Sequence, residues 1–160
     1  CLLSFDPNLR PPLWNSLEQA REQINWGLGQ CDIAKISDDE LLFLTGETDF
    51  DDGAAKLIAQ FPNLQLVNVT AGAQGSISYY QGLRVFQPGL SLGGVIETTG
   101  AGDTFCACVL NFLLEHGLEH LTSQDLSQML RFANAAAYLV TTRRGAIRSM
   151  PEPEQVLALL

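Results

Sequence analysis

The eight residues Thr98-Thr99-Gly100-Ala101-Gly102-Asp103-Thr104-Phe105 carry the densest chemistry in the chain. Two glycines flank Ala101 just ahead of a stretch in which Phe105, Val109, Phe112 and Leu113 recur at helical spacing. Amides at a helix start have no intrahelical partners, and the helix dipole places partial positive charge there. Glycines let an anion approach that backbone closely, so Gly100, Ala101 and Gly102 are predicted to form a phosphate cradle. The segment lacks the Gly-Lys-Ser/Thr of a Walker A loop and the third glycine of a dinucleotide fingerprint.

Asp103 falls in the first turn of the same helix. One reading is that an acidic residue is simply favourable at a helix N-terminus. The other is a carboxylate held where a substrate hydroxyl meets a transferred phosphoryl group. That chemistry needs positioning, charge stabilisation and a base or orienting group for the nucleophile. An anion hole with one adjacent carboxylate supplies two of these.

The elements that must position this segment follow from pattern. A strand is predicted over 1–5, then a helix over 16–26 opened by Ser16 and closed by Gly27 and Gly29. A short apolar strand follows over 31–36, read as buried and parallel. Ser37 begins a helix through Leu44 with Gly46 as its stop, and a further helix covers 52–61. A strand over 64–70 ends in the turn Ala71-Gly72-Ala73-Gln74-Gly75, and 76–80 with 83–87 read as a hairpin around Gln81-Gly82. After a Pro/Gly-rich loop over 88–94 come the helix closed by Gly117 and a second one from Ser123, ended by Arg143-Arg144-Gly145. The buried stripe of the second is Leu126, Met129, Leu130, Ala133, Ala137 and Val140. The fold class is α/β: a mostly parallel sheet with helices on both faces and one β-hairpin.

Composition narrows the function classes. The chain has 160 residues, 46% of them hydrophobic, which fits one globular domain with a sizeable core. Nine basic and 18 acidic residues give a formal charge of −9, which argues against a nucleic-acid partner. No apolar run approaches the roughly 20 residues that span a bilayer, so no membrane partner is expected. The cysteines Cys1, Cys31, Cys106 and Cys108 form no C-x2-C pair, and His116 and His120 belong to a helix end and a loop. Mostly buried, reduced thiols in a cytoplasmic protein are expected, without zinc or disulfides. Asn68-Val69-Thr70 matches a glycosylation acceptor, but it lies in a predicted buried strand. The chain begins inside a strand without a methionine and is read as part of a longer protein.

Thr98 to Phe105 resembles the C-terminal signature of the PfkB carbohydrate kinases, the ribokinase–fructokinase type. The resemblance continues through Ser4-Phe5-Asp6-Pro7-Asn8-Leu9-Arg10 with Leu13-Trp14, Lys35-Ile36-Ser37 to Glu40 with Leu44-Thr45-Gly46, and Val69-Thr70-Ala71-Gly72 with Gly75-Ser76. Asn134-Ala135-Ala136-Ala137 and Gly145-Ala146 with Pro151 close it, so it covers essentially the whole chain. It implies that 1–160 is the C-terminal, ATP-binding portion of a ribokinase-like domain. The glycine-rich N-terminal signature, sugar pocket and β-sheet lid of the family are not in this chain.

The implied reaction is ATP-dependent phosphorylation of a hexose, with the Asp-Pro-Asn-Leu-Arg stretch pointing to a fructokinase. Gly100, Ala101 and Gly102 would hold ATP phosphates, and Asp103 would be the base. Thr70, Gly72 and Gly75 would line the phosphates and ribose, and Asn134 would lie near the adenine. Asn8 and Arg10 would face the active-site cleft as substrate-binding residues beside Asp103, with Arg10 supplying positive charge. For Gly72 and Gly75 the plain alternative is a turn glycine, and for Asn134 a capped or solvated helix position.

Two positions depart from the family pattern. Ser37-Asp38-Asp39-Glu40 replaces the usual Asn-x-x-Glu, so Glu40 is read as holding magnesium through water, as half of a capping box, or as both. Glu97 stands where Asp is usual, beside Thr99, near a position where some relatives bind a monovalent cation, K+ among them. Further readings are a kinase of another small alcohol (ribose, a nucleoside or a sugar acid) or a non-catalytic regulatory module. The longer protein could be a homodimer. The 160 residues alone are expected to bind ATP weakly, phosphorylate no sugar and self-associate.

Overall fold

The computed structural model describes residues 1–160. Its elements are β1 Ser4–Phe5, α1 Leu17–Leu28, β2 Ile33–Ser37, α2 Asp38–Thr45, α3 Phe50–Gln60, β3 Leu66–Thr70, β4 Gly75–Tyr80, β5 Leu83–Pro88, α4 Ala101–His116, α5 Ser123–Thr141 and α6 Pro153–Leu157. The five strands form one sheet in the order β1-β2-β3-β4-β5. β1, β2 and β3 run parallel, with Phe5 opposite Ala34 and Ser37 opposite Thr70. β4 and β5 are joined through Gln81 and Gly82, both at positive φ (46° and 81°), as a two-residue primed hairpin turn requires. The α/β class, a mixed sheet flanked by helices, is the one read from the pattern.

The chain divides into two compact units, Cys1–Thr70 with Ser78–Leu83, and Ala71–Ile77 with Arg84–Leu160. In the first, Ile24 and Leu28 of α1, Leu41 of α2 and Leu57 of α3 bury against Ala34, Ile36, Val67 and Val69 of the strands. Asn68 of the discounted acceptor sequence is fully buried in β3. In the second, α4 lies along α5, and α6 docks Val156 against Ala135 and Ala136 of α5. A covered sheet next to amphipathic helices is the usual solution for burying both stripes.

Several boundaries differ from expectation, each for a local reason. β1 begins at Ser4 rather than residue 1 because Leu2 and Leu3 remain half exposed. Gly27 lies inside α1 and does not close it; a Cβ there would come within 2.7 Å of the Phe5 ring. Gly29 ends that helix. β2 starts at Ile33, not Cys31. α3 starts at Phe50 because the Asp49 carboxylate caps the Asp51 and Asp52 amides. α5 stops at Thr141, before the Arg143-Arg144-Gly145 run, and Ala137 is half-buried while Ala135 and Ala136 are buried. Of the cysteines only Cys31 is buried; Cys1 is exposed and Cys106 and Cys108 are intermediate.

Candidate active site

In the second unit, the start of α4 is left open. Gly100 is its N-cap, in the left-handed region at φ 84°, and has no side chain to satisfy the amides behind it. A Cβ at Gly100 would sit 3.2 Å from both Cα and Cβ of Ala146, so conformation and space each call for glycine. The Ala101 amide donates to the Thr98 carbonyl at 3.2 Å, and Thr104 N–H closes the first turn on Gly100 O at 2.9 Å. The Gly102 and Asp103 amides have no backbone acceptor. Of the cradle glycines Gly100 has positive φ and Gly102 does not.

Asp103 is exposed in that first turn, and its carboxylate takes no part in capping α4. Behind it Thr104 is 4% exposed, and its hydroxyl oxygen is buried without a hydrogen-bond partner. Open amides, an uncapped N-terminus and an orphaned hydroxyl fit a phosphate-bearing ligand.

The loop beside Gly100 is tied down by backbone and carboxylate bonds. Ile96 and Glu97 amides share the Thr141 carbonyl at 2.7 and 3.2 Å, and Glu97 Oε1 accepts from the Gly145 amide at 2.7 Å. The buried Ser149 hydroxyl donates to the Gly145 and Ala146 carbonyls. Glu97 therefore already has a structural task, and the Thr99 side chain is exposed.

Gly72, Gly75 and Asn134 make a separate cluster. Gly72 has φ 51° with open space around it, as a turn glycine does. Gly75 has φ 116°, and a Cβ there would collide with the Gln87 carbonyl oxygen and lie 2.5 Å from Gly89 N. Two chain segments thus cross in backbone contact. Asn134 locks that crossing: its Oδ1 accepts from Ser76 Oγ at 2.9 Å, and its Nδ2 donates to the Gln87 and Pro88 carbonyls at 3.1 and 3.3 Å. At 9% exposure Asn134 is neither a cap nor a solvated position.

In the first unit, the predicted residues gather at the carboxyl ends of the parallel strands, where open α/β sheets bind ligands. Asn8 and Arg10 follow β1, Glu40 follows β2, and half-buried Thr70 ends β3. Asn8 is exposed and held at φ 45°, uncommon for a non-glycine residue. Arg10 is exposed and donates only to the neighbouring Leu9 carbonyl, at 3.0 Å.

Glu40 is 4% exposed and fully engaged. Its Oε2 accepts from the Ser37 amide at 2.8 Å while Ser37 Oγ accepts from the Glu40 amide at 3.2 Å, a complete capping box. Its Oε1 accepts from the Leu9 amide at 2.7 Å. Each oxygen keeps a further lone pair beyond the bond it accepts.

Two residues here were missed by the functional reading of the sequence. Lys35 of β2 is 8% exposed, and its Nζ meets Asp6 Oδ1 at 3.4 Å. Burial pushes the Asp6 carboxyl above its usual range and the Glu40 charge adds to this, while the Lys35 ammonium opposes both. A lysine inside an apolar strand was the available signal, since lysine is almost never buried unpaired.

A cavity of about 550 Å³ in the second unit is lined by Cys108, Phe112, His116, Gln128, Arg131 and Phe132 among others, and contains none of the predicted residues. It lies away from the open amides at the start of α4, none of whose residues line it, and those amides mark the better candidate for an anion.

The model of the pfkB family carbohydrate kinases matches residues 2–153. The chain belongs to that family. It is 41% identical over 159 residues to the probable fructokinase-2 of Arabidopsis thaliana, covering 99% of this chain and 48% of that protein. The fructokinase of Vibrio cholerae O395, solved in a fructose, ADP and potassium ion bound form, superposes with TM-score 0.86 at 30% identity, over 99% of this chain and 50% of that one. The aminoimidazole riboside kinase of Salmonella enterica superposes with TM-score 0.84 at 27% identity, over 98% and 51%. The chain spans about half the length of the curated fructokinases it matches. No helix is long and apolar enough to cross a membrane.

Proposed function

We propose that the protein carrying this chain phosphorylates a sugar hydroxyl with ATP, and that the sugar is a hexose of the fructose type. The observation that supports this best is Asp103: an exposed carboxylate in the first turn of α4, not spent on capping, next to the free Gly102 and Asp103 amides. Asp103 accepts the proton of the sugar hydroxyl, and the open amides of the Gly100-Ala101-Gly102 turn receive the negative charge of the phosphates. ATP supplies the phosphoryl group. Gly72 and Gly75 keep side chains out of the turn that borders the nucleotide. Asn134 braces that turn through Ser76, which assigns it a supporting rather than a contacting role. Glu40 would hold magnesium through water while it caps α2, and the Glu97–Thr99 segment would border a monovalent-cation site such as one for potassium.

The similarity to an aminoimidazole riboside kinase favours one second reading, a riboside as acceptor. The test is Asp103→Asn in the full-length protein, assayed by sugar-dependent ADP release over hexoses and ribosides. kcat should fall about 10²–10⁴-fold with nucleotide binding retained, because the amide cradle is untouched while the proton acceptor is lost. Near-normal turnover by the variant would refute the assignment.

A further inference from the structure

Lys35 and Asp6 stand apart from every role assigned above. The parallel register Phe5–Ala34 places them one step further along the two strands, side by side. Their charges meet at 3.4 Å with side-chain exposures of 9% and 17%. Glu40, 4% exposed, adds a second buried carboxylate whose field reaches Asp6. A carboxylate buried without a cation is strongly unfavourable, and for Asp6 the Lys35 ammonium is that cation.

The consequence lies in the chain between them. Asp6 begins the segment Asp6-Pro7-Asn8-Leu9-Arg10, and Glu40 Oε1 grips its far side through the Leu9 amide at 2.7 Å. Between these anchors Asn8 is held at φ 45°. A non-glycine residue stays in that region only when its surroundings over-determine it, and such outliers cluster at ligand-binding segments. Pro7 stiffens the same arch by fixing its own φ. The two side chains that the arch leaves exposed are those of Asn8 and Arg10.

We infer that Lys35 and Asp6 are positioning residues for the acceptor sugar: with Glu40 they form a buried charged clamp that sets the Asn8–Arg10 arch. Lys35 touches no substrate itself. This inference rests on the kinase reading, in which Asn8 and Arg10 serve the sugar.

The experiment compares Lys35→Met, Lys35→Arg and Asp6→Asn with wild type in the full-length protein. It measures kcat/KM for the sugar, ATP affinity by titration, and thermal melting. Misplacing a contact by about 1 Å can cost about 10²-fold, so Lys35→Met should lose on that order in kcat/KM for the sugar while ATP affinity holds. Lys35→Arg, which restores the charge, should recover most of the loss, and the isosteric Asp6→Asn should fall between. If Lys35→Met does not fold, Asp6→Asn decides by the same split. A folded Lys35→Met or Asp6→Asn protein with unchanged sugar kcat/KM overturns the inference. So does a variant whose sugar and ATP parameters fall together with its melting temperature, the mark of a merely structural pair. Wild-type protein that releases no ADP with any sugar removes the kinase reading, and this inference with it.

Discussion

Two helix starts in this protein solve the same problem in opposite ways. At α2 the Ser37 hydroxyl and the Glu40 carboxylate satisfy each other's amides, and the remaining carboxylate oxygen reaches across to Leu9. At α4 the N-cap is Gly100, the Gly102 and Asp103 amides find no backbone acceptor, and the nearby Thr104 hydroxyl is buried without a partner. Unsatisfied donors at a helix end are costly once water is excluded, and a capping side chain would remove that cost. Local hydrogen bonding is closed at α2 and open at α4, and the open end is the one the proposed reading gives to the phosphates.

The largest effect of breaking this contrast should come from Gly100→Val. A β-branched residue cannot take φ 84° without strain, and its Cβ would press on Ala146 at 3.2 Å. The strain is on the order of 1–3 kcal/mol, and relieving it must move the cradle. ATP affinity, read by isothermal titration, should fall together with turnover. Unchanged affinity would mean that the open amides of α4 do not receive the phosphates.

Ser37→Ala should give an effect of a different kind. It removes the hydroxyl that accepts from the Glu40 amide, at a cost of about 1 kcal/mol in denaturant unfolding. ATP affinity should be little changed. A Ser37→Ala protein that unfolds normally but loses nucleotide binding would erase the distinction between the two helix starts.

The smallest effect concerns a third start, at α5, where Thr122 and Asp125 form a capping box on the surface. Hydrogen bonds from the Thr122 hydroxyl and then its amide hold the Asp125 carboxyl below its usual 3.8. A depressed folded pKa contributes stability above the unfolded value that is lost as pH falls through the folded one. The stability gap between wild type and Asp125→Ala should therefore be present at neutral pH and shrink below pH 3.8. A gap that does not change with pH would show that this box does not rest on the carboxylate's charge.

Much of this was legible in advance. The glycines around Ala101, the periodicity of Phe105 to Leu113 and the alternation around Gln81-Gly82 are local signals, and the elements formed where they pointed. The candidate catalytic segment was readable for the same reason, because anion hole and carboxylate lie within one turn of chain. The misreadings came from contacts between distant residues. Gly27 carries the signal of a helix stop, yet Phe5, far away in sequence, needs the space its missing side chain leaves. Nor did the sequence show that Asn134 bonds Ser76 and the Gln87 and Pro88 carbonyls, residues more than 40 positions away.

The sequence by itself determined the α/β order of elements and the family, and it put the candidate glycines and Asp103 on one helix start, because each is written in neighbouring residues. Only the tertiary structure decided that Gly100 rather than Gly102 has positive φ. It alone decided that Glu40 caps α2 while gripping Leu9, and that Lys35 and Asp6 share a buried site. The charge of Lys35 is plain in the sequence. Its partner is not, because the pairing arises only when two parallel strands, separated by a whole helix, come into register.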